Sequence, residues 1–192
     1  MRAGNLRAAV FVATLLGLSA CIPSFKSDES PTRIYWLEPA PAQTSSASKV
    51  ALRVAVVPGL ESDRIWILQR DQRLNYYAGA YWPDTLRPLL QSVMERSIGH
   101  LGSSPADMSF DILIEKFFAV ETVAEANPGI ELRARIARSD IASPTCVFEA
   151  SSEPLTGRLR DIVAAHQVVL NQLTDEVNRL ASLAASDQPY GC

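Results

Sequence analysis

The chain has 192 residues, of which 47% are hydrophobic and 20% are charged, and its formal net charge at pH 7 is −3. This length suits one domain with a self-sufficient hydrophobic core. A mildly acidic chain is poorly suited to bind nucleic acid or an anionic membrane surface through its charge, so we expect no nucleic-acid partner.

The first 20 residues have the pattern of a lipoprotein signal peptide. Arg2 and Arg7 precede an apolar run at 8–18, and the run ends in the sequence LSAC at 18–21. This run is too short to span a bilayer, which needs about 20 apolar residues. A basic start, a short apolar core and small residues before the cleavage point are typical of secretion. We therefore expect cleavage before Cys21 and acylation of Cys21, the alternative being an ordinary signal peptide that happens to meet a cysteine.

Acylation of Cys21 would make the mature protein a soluble domain attached to a membrane by acyl chains. Ile22 follows the cysteine, whereas an aspartate there would favour retention in the inner membrane, so we expect the periplasmic face of the outer membrane. Removal of residues 1–20 leaves 16 basic and 21 acidic residues, a net charge of −5. The polar, proline-broken stretch up to residue 32 suits a tether, which leaves 33–192 as one periplasmic domain.

The other two cysteines, Cys146 and Cys192, are predicted to form a disulfide. An oxidising compartment permits the bond, and closing a loop of this length would stabilise the fold by about 4 kcal/mol. Two free thiols are the alternative. A zinc site is not expected, because the only histidines, His100 and His166, have no ligand spacing to either cysteine.

Four strands are predicted before the first helix. They lie at 33–37, at 51–59 (ALRVAVVPG), at 64–70 (RIWILQR) and at 74–82 (LNYYAGAYW). The last two are separated only by the short turn DQR, so an antiparallel hairpin is the simplest connection.

From Asp84 onwards the apolar residues follow a 3.6-residue period, which predicts an amphipathic helix ending near Gly102, with Pro88 in its first turn. Three further strands are predicted at 108–122, 129–139 and 145–153, and the turn EANPG indicates a second hairpin between the first two. A long amphipathic helix follows at 158–184. The order predicts an α+β fold, with a largely antiparallel sheet of about six to seven strands and two amphipathic helices packed on one face.

No residue set indicates an enzyme. The sequence contains no G-x-S-x-G, no H-E-x-x-H and no phosphate-binding glycine loop. His166 falls on the apolar stripe of the last helix, where a packed or partly exposed histidine is expected rather than a catalytic base. We expect no catalytic residues, no metal and no cofactor.

The most distinctive motif lies between residues 60 and 90. A Pro-Gly-Leu turn is followed by an Asp-Arg pair, an apolar strand closing in arginine, a tyrosine-rich strand and a tryptophan that leads into the helix. The residues of this motif are Asp63, Arg64, Arg70, Tyr76, Tyr77, Tyr81 and Trp82. Their order, the upstream sequence IYWLEP and the cleavage box resemble the ABC-type transport auxiliary lipoprotein family, which includes the PqiC-type lipoproteins. Tyr81 stands where that family usually has a smaller residue.

The resemblance implies a non-catalytic accessory lipoprotein of an ABC/MCE-type intermembrane lipid transport system. Such a protein docks an MCE-domain (mammalian cell entry) substrate-binding protein, while a permease and an ATPase couple the energy, and it can assemble into a homo-oligomeric ring. The seven motif residues are then the implied docking residues. The alternative is a scaffold or activator lipoprotein of another envelope machine, such as a cell-wall synthase or a secretion ring.

The aromatic residues of the motif divide between two expected roles. Strand alternation would send Tyr77 and Tyr81 to one face of the sheet and Tyr76 and Trp82 to the other, provided that no bulge occurs at Gly79. Trp82, next to the helix start, is expected to anchor the corner between strand and helix.

Overall fold

The bounds of the strands and helices follow the apolar patterns of the sequence. The computed structural model describes residues 31–41, 49–98, 106–121 and 127–186. The predicted signal peptide, Cys21, most of the tether, His100 and Cys192 lie outside these ranges. Within them the strands are β1 (Arg33–Ile34), β2 (Val50–Val56), β3 (Arg64–Leu68), β4 (Leu74–Tyr81), β5 (Met108–Val120), β6 (Gly129–Arg138) and β7 (Cys146–Ser152), and the helices are α1 (Leu86–Ile98) and α2 (Leu159–Ala185).

The seven strands of the described chain form one mixed sheet. Their order is β1-β4-β3-β5-β6-β7, with β2 pairing β5 beside β3. The β3–β4, β5–β6 and β6–β7 pairs are antiparallel, whereas β1–β4, β2–β5 and β3–β5 are parallel. The predicted α+β class and both predicted hairpins are confirmed.

The sheet has an inner face covered by the helices and an outer face without them. In β6 the apolar residues at every second position are at most 1% exposed, and the polar residues between them point to the outer face. This is the alternation of a sheet with one covered side. A bulge between Ile114 and Lys116 in β5 adds one residue, so the inward positions change there from even-numbered residues to Phe117 and Ala119.

The two helices cover different parts of the inner face. Helix α1 packs on β2, and α2 packs on β5, β6 and β7. The Gln91 side chain of α1 also closes the free edge of β2: its Oε1 accepts the Val54 N–H at 2.7 Å, and its Nε2 donates to the Leu52 carbonyl at 2.8 Å. Helix α1 begins at Leu86, two residues after the predicted start at Asp84, whose carboxylate accepts the Thr85 N–H instead.

Strand β1 begins at Arg33, as predicted, but ends at Ile34 instead of residue 37, because its partner β4 ends at Tyr81. Pro31 accounts for the upstream limit. The Tyr35 N–H donates to the Tyr81 carbonyl at 2.8 Å. Since alternate residues turn the same way, Arg33 shares this orientation and Pro31 would be the next donor upstream. Proline has no N–H to donate. Between this upstream limit and the end of β4, β1 pairs β4 at Ala80 and Tyr81.

His166 lies at the centre of the core on α2. It is fully buried, and its Nδ1 donates to the Ile162 carbonyl at 2.9 Å. The ring meets Phe117 and Trp82 edge-on, with centroid distances of 4.9 and 5.6 Å. Burial lowers the pKa of His166 from 6.5 to about 4, against a smaller raising effect of the Ile162 hydrogen bond. The imidazole is therefore a neutral packing group at neutral pH.

The buried histidine predicts a specific acid sensitivity. Because the folded state holds the His166 proton less readily than the unfolded state, stability is full above about pH 6.5 and falls until about pH 4. The loss from this group is about 3 kcal/mol. His166→Leu should flatten this part of the pH dependence, measured by urea unfolding between pH 4 and 7. His100→Gln, which alters the only other histidine, is the control, and an unchanged slope in His166→Leu would contradict the assignment.

The disulfide of Cys146 supports a second prediction. Cys146 is 3% exposed at the start of β7 and is disulfide-bonded, with its partner outside the described residues. If Cys21 is acylated as the sequence predicts, its sulfur is not free, and Cys192 is the remaining cysteine. Non-reducing peptide mapping should therefore link the peptides that contain Cys146 and Cys192, and Cys192→Ser should lower the free energy of unfolding by about 4 kcal/mol. Cys21→Ser should leave the bond intact, whereas a link to Cys21 would refute the pairing.

Candidate functional site

An aromatic cluster covers the outer face of the β3–β4 hairpin. The Trp66 and Tyr76 rings meet edge-on with centroids 6.0 Å apart. The guanidinium carbon of Arg64 lies 4.7 Å from the centre of the Tyr76 ring and 4.2 Å from that of Tyr81. Arg64 thus joins the two tyrosines by cation–π contacts. We call Ile34, Arg64, Trp66, Tyr76 and Tyr81 the aromatic face.

A backbone irregularity brings Tyr76 and Tyr81 to the same side. The pairing of β3 with β4 passes from Arg64↔Tyr81 directly to Trp66↔Tyr76, so β4 carries extra residues between these pairs. Gly79 has φ of 70°, a conformation that glycine adopts without steric cost. Simple alternation therefore fails, and Tyr76 shares the outer face with Tyr81 rather than facing away from it.

The first segment of the domain extends this surface. Ile34 pairs with Tyr81 and is 58% exposed, and Trp36, which alternation places on the same side, is 67% exposed. Tyr35 and Leu37, between and after them, pack on the core. Leu74, at the other end of β4, is also exposed. Large apolar side chains that remain in water on one side of a domain are typical of a contact surface.

Trp82 has a structural role at the corner between β4 and α1. Its side chain is 3% exposed and packs on Phe117 and His166, with the Phe117 centroid at 6.3 Å. Its backbone N–H donates to the Asp63 carbonyl at 2.7 Å, and the Leu86 N–H donates to the Ser62 carbonyl at 3.0 Å. The segment before β3 therefore holds both the end of the strand and the start of the helix.

Tyr77 points away from the aromatic face and packs partly against the core. Burial, and secondly the charge of Glu121, raise the pKa of its hydroxyl above the ordinary value. In the described part of the chain that hydroxyl has no hydrogen-bond partner. Tyr77 is therefore less available to a partner than the sequence motif implies.

The structure thus divides the seven motif residues into three groups. Arg64, Tyr76 and Tyr81 come together on the aromatic face, whereas Tyr77 and Trp82 turn inward. Asp63 lies at the corner with its carboxylate 3.8 Å from Arg64, and Arg70 is exposed in the turn after β3. The seven motif residues do not include Trp66, Ile34 or Trp36, which the structure also places on or beside the aromatic face. The alternation in RIWIL was the available signal for Trp66.

The rest of the outer face is charged instead of aromatic. Glu115 lies 3.0 Å from Arg133 and 2.7 Å from Arg135, and Arg133 also reaches Glu149 at 3.1 Å. Lys116 pairs with Glu131 at 2.8 Å. These pairs are partly exposed and stabilise the fold little. They show that the aromatic face is confined to one end of the sheet.

The described residues offer no metal-binding group of three or more His, Cys, Asp or Glu side chains. Neither α1 nor α2 combines the length and apolar character needed to cross a bilayer.

Comparison with known proteins establishes the fold. No protein-family model and no curated protein sequence matches the chain. A crystal structure of a Xanthomonas campestris protein described as DUF330 aligns with a TM-score of 0.65 at 18% identity, covering 81% of this chain and 98% of its own. A crystal structure of an uncharacterized protein aligns with a TM-score of 0.60 at 12% identity, covering 78% and 98%. At these identities the likeness shows a shared fold, and this chain has the fold of the DUF330 protein.

Proposed function

We propose that this protein is a lipid-anchored, non-catalytic accessory component of an ABC/MCE-type intermembrane lipid transport system. It is held at the periplasmic face of the outer membrane by acylated Cys21. Its aromatic face docks the MCE-domain protein, and the permease and ATPase are indirect partners. No cofactor takes part.

The aromatic face carries this proposal. Tyr, Trp and Arg are the residues that contribute most to binding at protein interfaces. Tyr and Trp bury a large area with little loss of side-chain freedom. Here Tyr76 is 44% exposed, and Arg64 and Tyr81 are held beside it by ring contacts. Such a surface is partly ordered before the partner arrives, which lowers the entropic cost of binding.

Two further observations support the transport role. The signal sequence and cleavage box before Cys21 are typical of an envelope lipoprotein. The fold is shared with a DUF330 protein, and DUF330 is the PqiC-like family. Both agree with the family that the central motif resembles.

Tyr76→Ala should weaken docking without unfolding the domain. The side chain is exposed, so its removal costs little stability, whereas loss of an aromatic anchor costs about 2 kcal/mol of binding, or about 30-fold in affinity. The measurement is co-purification of the detergent-solubilised, acylated protein with the MCE-domain protein, with binding quantified by interferometry. Val147→Ala is the matched control, since Val147 is exposed at the other end of the sheet. Undiminished binding by Tyr76→Ala would remove the aromatic face from the interface.

Trp82→Ala should lower the stability of the domain and leave the docking of the folded protein unchanged. It empties a buried site against Phe117 and His166 and should lower the free energy of unfolding by about 3–5 kcal/mol. Urea unfolding of the purified variant measures this loss. Protein that remains folded should bind the MCE-domain protein normally, and a binding defect in fully folded Trp82→Ala would contradict its purely structural role.

A further inference from the structure

Strand β4 has an open edge next to the aromatic face. One side of β4 pairs with β3, but the other side meets β1 only at Ala80 and Tyr81. On the side away from β3, the backbone of 74–79 has no strand beside it in the described part of the chain. On that side the Tyr76 N–H is taken only by the neighbouring Asn75 side chain, at 2.9 Å.

Pro31 opposes continuation of β1 along this edge. If β1 extended upstream in its present register, Pro31 would have to donate a hydrogen bond to β4, and it has no N–H. In the part of the chain that the structure describes, the edge is therefore open to a strand from outside this domain.

The other edges of the sheet differ from this one. Gln91 closes the edge of β2 with two side-chain hydrogen bonds. The edge at β7 presents Val147, Glu149 and Ser151 at its exposed positions, a mainly polar row. Among the described residues, the β4 edge and the two-residue β1 beside it border the aromatic face, where an added strand could place apolar side chains against Tyr76 and Ile34. Strand addition combines backbone hydrogen bonds with side-chain contacts at alternate positions.

The positive charge around this edge favours an added strand that carries acidic residues. β1, β3, β4 and the turn between β3 and β4 contain four arginines and one aspartate, a local charge of +3, although the mature protein is acidic overall. Asp63 beside Arg64 and Glu121 beside Tyr77 reduce this local charge to +1. Arg70 is exposed in that turn and forms no ion pair with the described residues. Two copies of this edge would repel each other, whereas an acidic segment would be attracted.

We propose that the Leu74–Gly79 edge accepts an extended segment of a partner protein as an added strand, with apolar residues at alternate positions and acidic residues at its ends. This inference rests on the proposed docking function and specifies its mode.

Hydrogen exchange on the complex tests the mode directly. In the acylated protein bound to the MCE-domain protein, the amides of 74–79 should exchange at least about tenfold more slowly than in the free protein, because strand pairing protects them. Normal co-purification with unchanged exchange at 74–79 would overturn strand addition while leaving the docking function standing. Protection that appears without partner and increases with protein concentration would overturn it in favour of self-pairing.

A synthetic peptide keeps the test independent of the MCE-domain protein. The probe is the blocked peptide EVTVTVE, with KVTVTVK and EVTPTVE as controls. EVTVTVE should protect the amides of 74–79, and the lysine and proline peptides should bind at least about tenfold more weakly because they lose charge attraction or backbone pairing. Equal binding of all three peptides, or protection elsewhere only, would refute the edge site even if docking of the MCE-domain protein is intact.

A charge reversal at Arg70 tests whether the positive charge near the edge attracts the peptide. Arg70→Glu should weaken EVTVTVE binding about fivefold and reduce its dependence on salt. Arg160→Glu makes the same change in net charge at an exposed position of α2 and should leave binding unchanged. Equal effects of the two substitutions would show that net charge, and not the edge, attracts the peptide.

Discussion

Every other part of the sheet depends on the pairing of β5. This 13-residue strand pairs with β2 along its first half, with β3 at its end and with β6 along most of its length. The bulge after Ile114 shifts the inward positions from even-numbered residues to Phe117 and Ala119, so this sequence keeps apolar residues on the inner face on both sides of the bulge. β2 and β3 can thus lie side by side on one edge of β5, and the hairpin that carries the aromatic face is fixed to the core through Ile67 and Ala119.

The irregularity at Gly79 and the burial of Trp82 produce the two sides of the hairpin. Trp82 is drawn into the core by Phe117 and His166, and its backbone is tied to Asp63. β4 reaches that corner only by inserting extra residues, which turns Tyr81 to the outer face beside Arg64. The packing that stabilises the corner therefore also assembles the proposed contact surface. A residue larger than glycine at position 79 would strain the turn and disturb both.

Periodicity predicted most of the fold but little of the site. The alternation of β6 and the 3.6-residue stripe of α2 were read correctly because each element is covered on one side only. The parallel pairs of β1, β2 and β3 depend on contacts between distant segments, which no local pattern encodes. Tyr76 and Tyr81 were assigned to opposite faces because a period of two assumes an unbroken strand, and a single glycine does not reveal how many residues a bulge adds. The alternation in RIWIL is a signal for the outward position of Trp66, but Trp66 is not among the seven residues of the family motif.

An exposed aromatic face beside an open strand edge is a hazard for a protein free in solution, since both features promote association. The same combination suits a domain on a short tether. Attachment through Cys21 would confine the domain to the membrane surface and raise its effective concentration near a partner in the same plane, so a small face would suffice for docking. The basic residues around the edge then oppose pairing between identical copies, while the Gln91 contacts close β2. The sheet thus protects one edge, discourages self-pairing at another, and keeps an acidic, extended partner as the favoured occupant of β4.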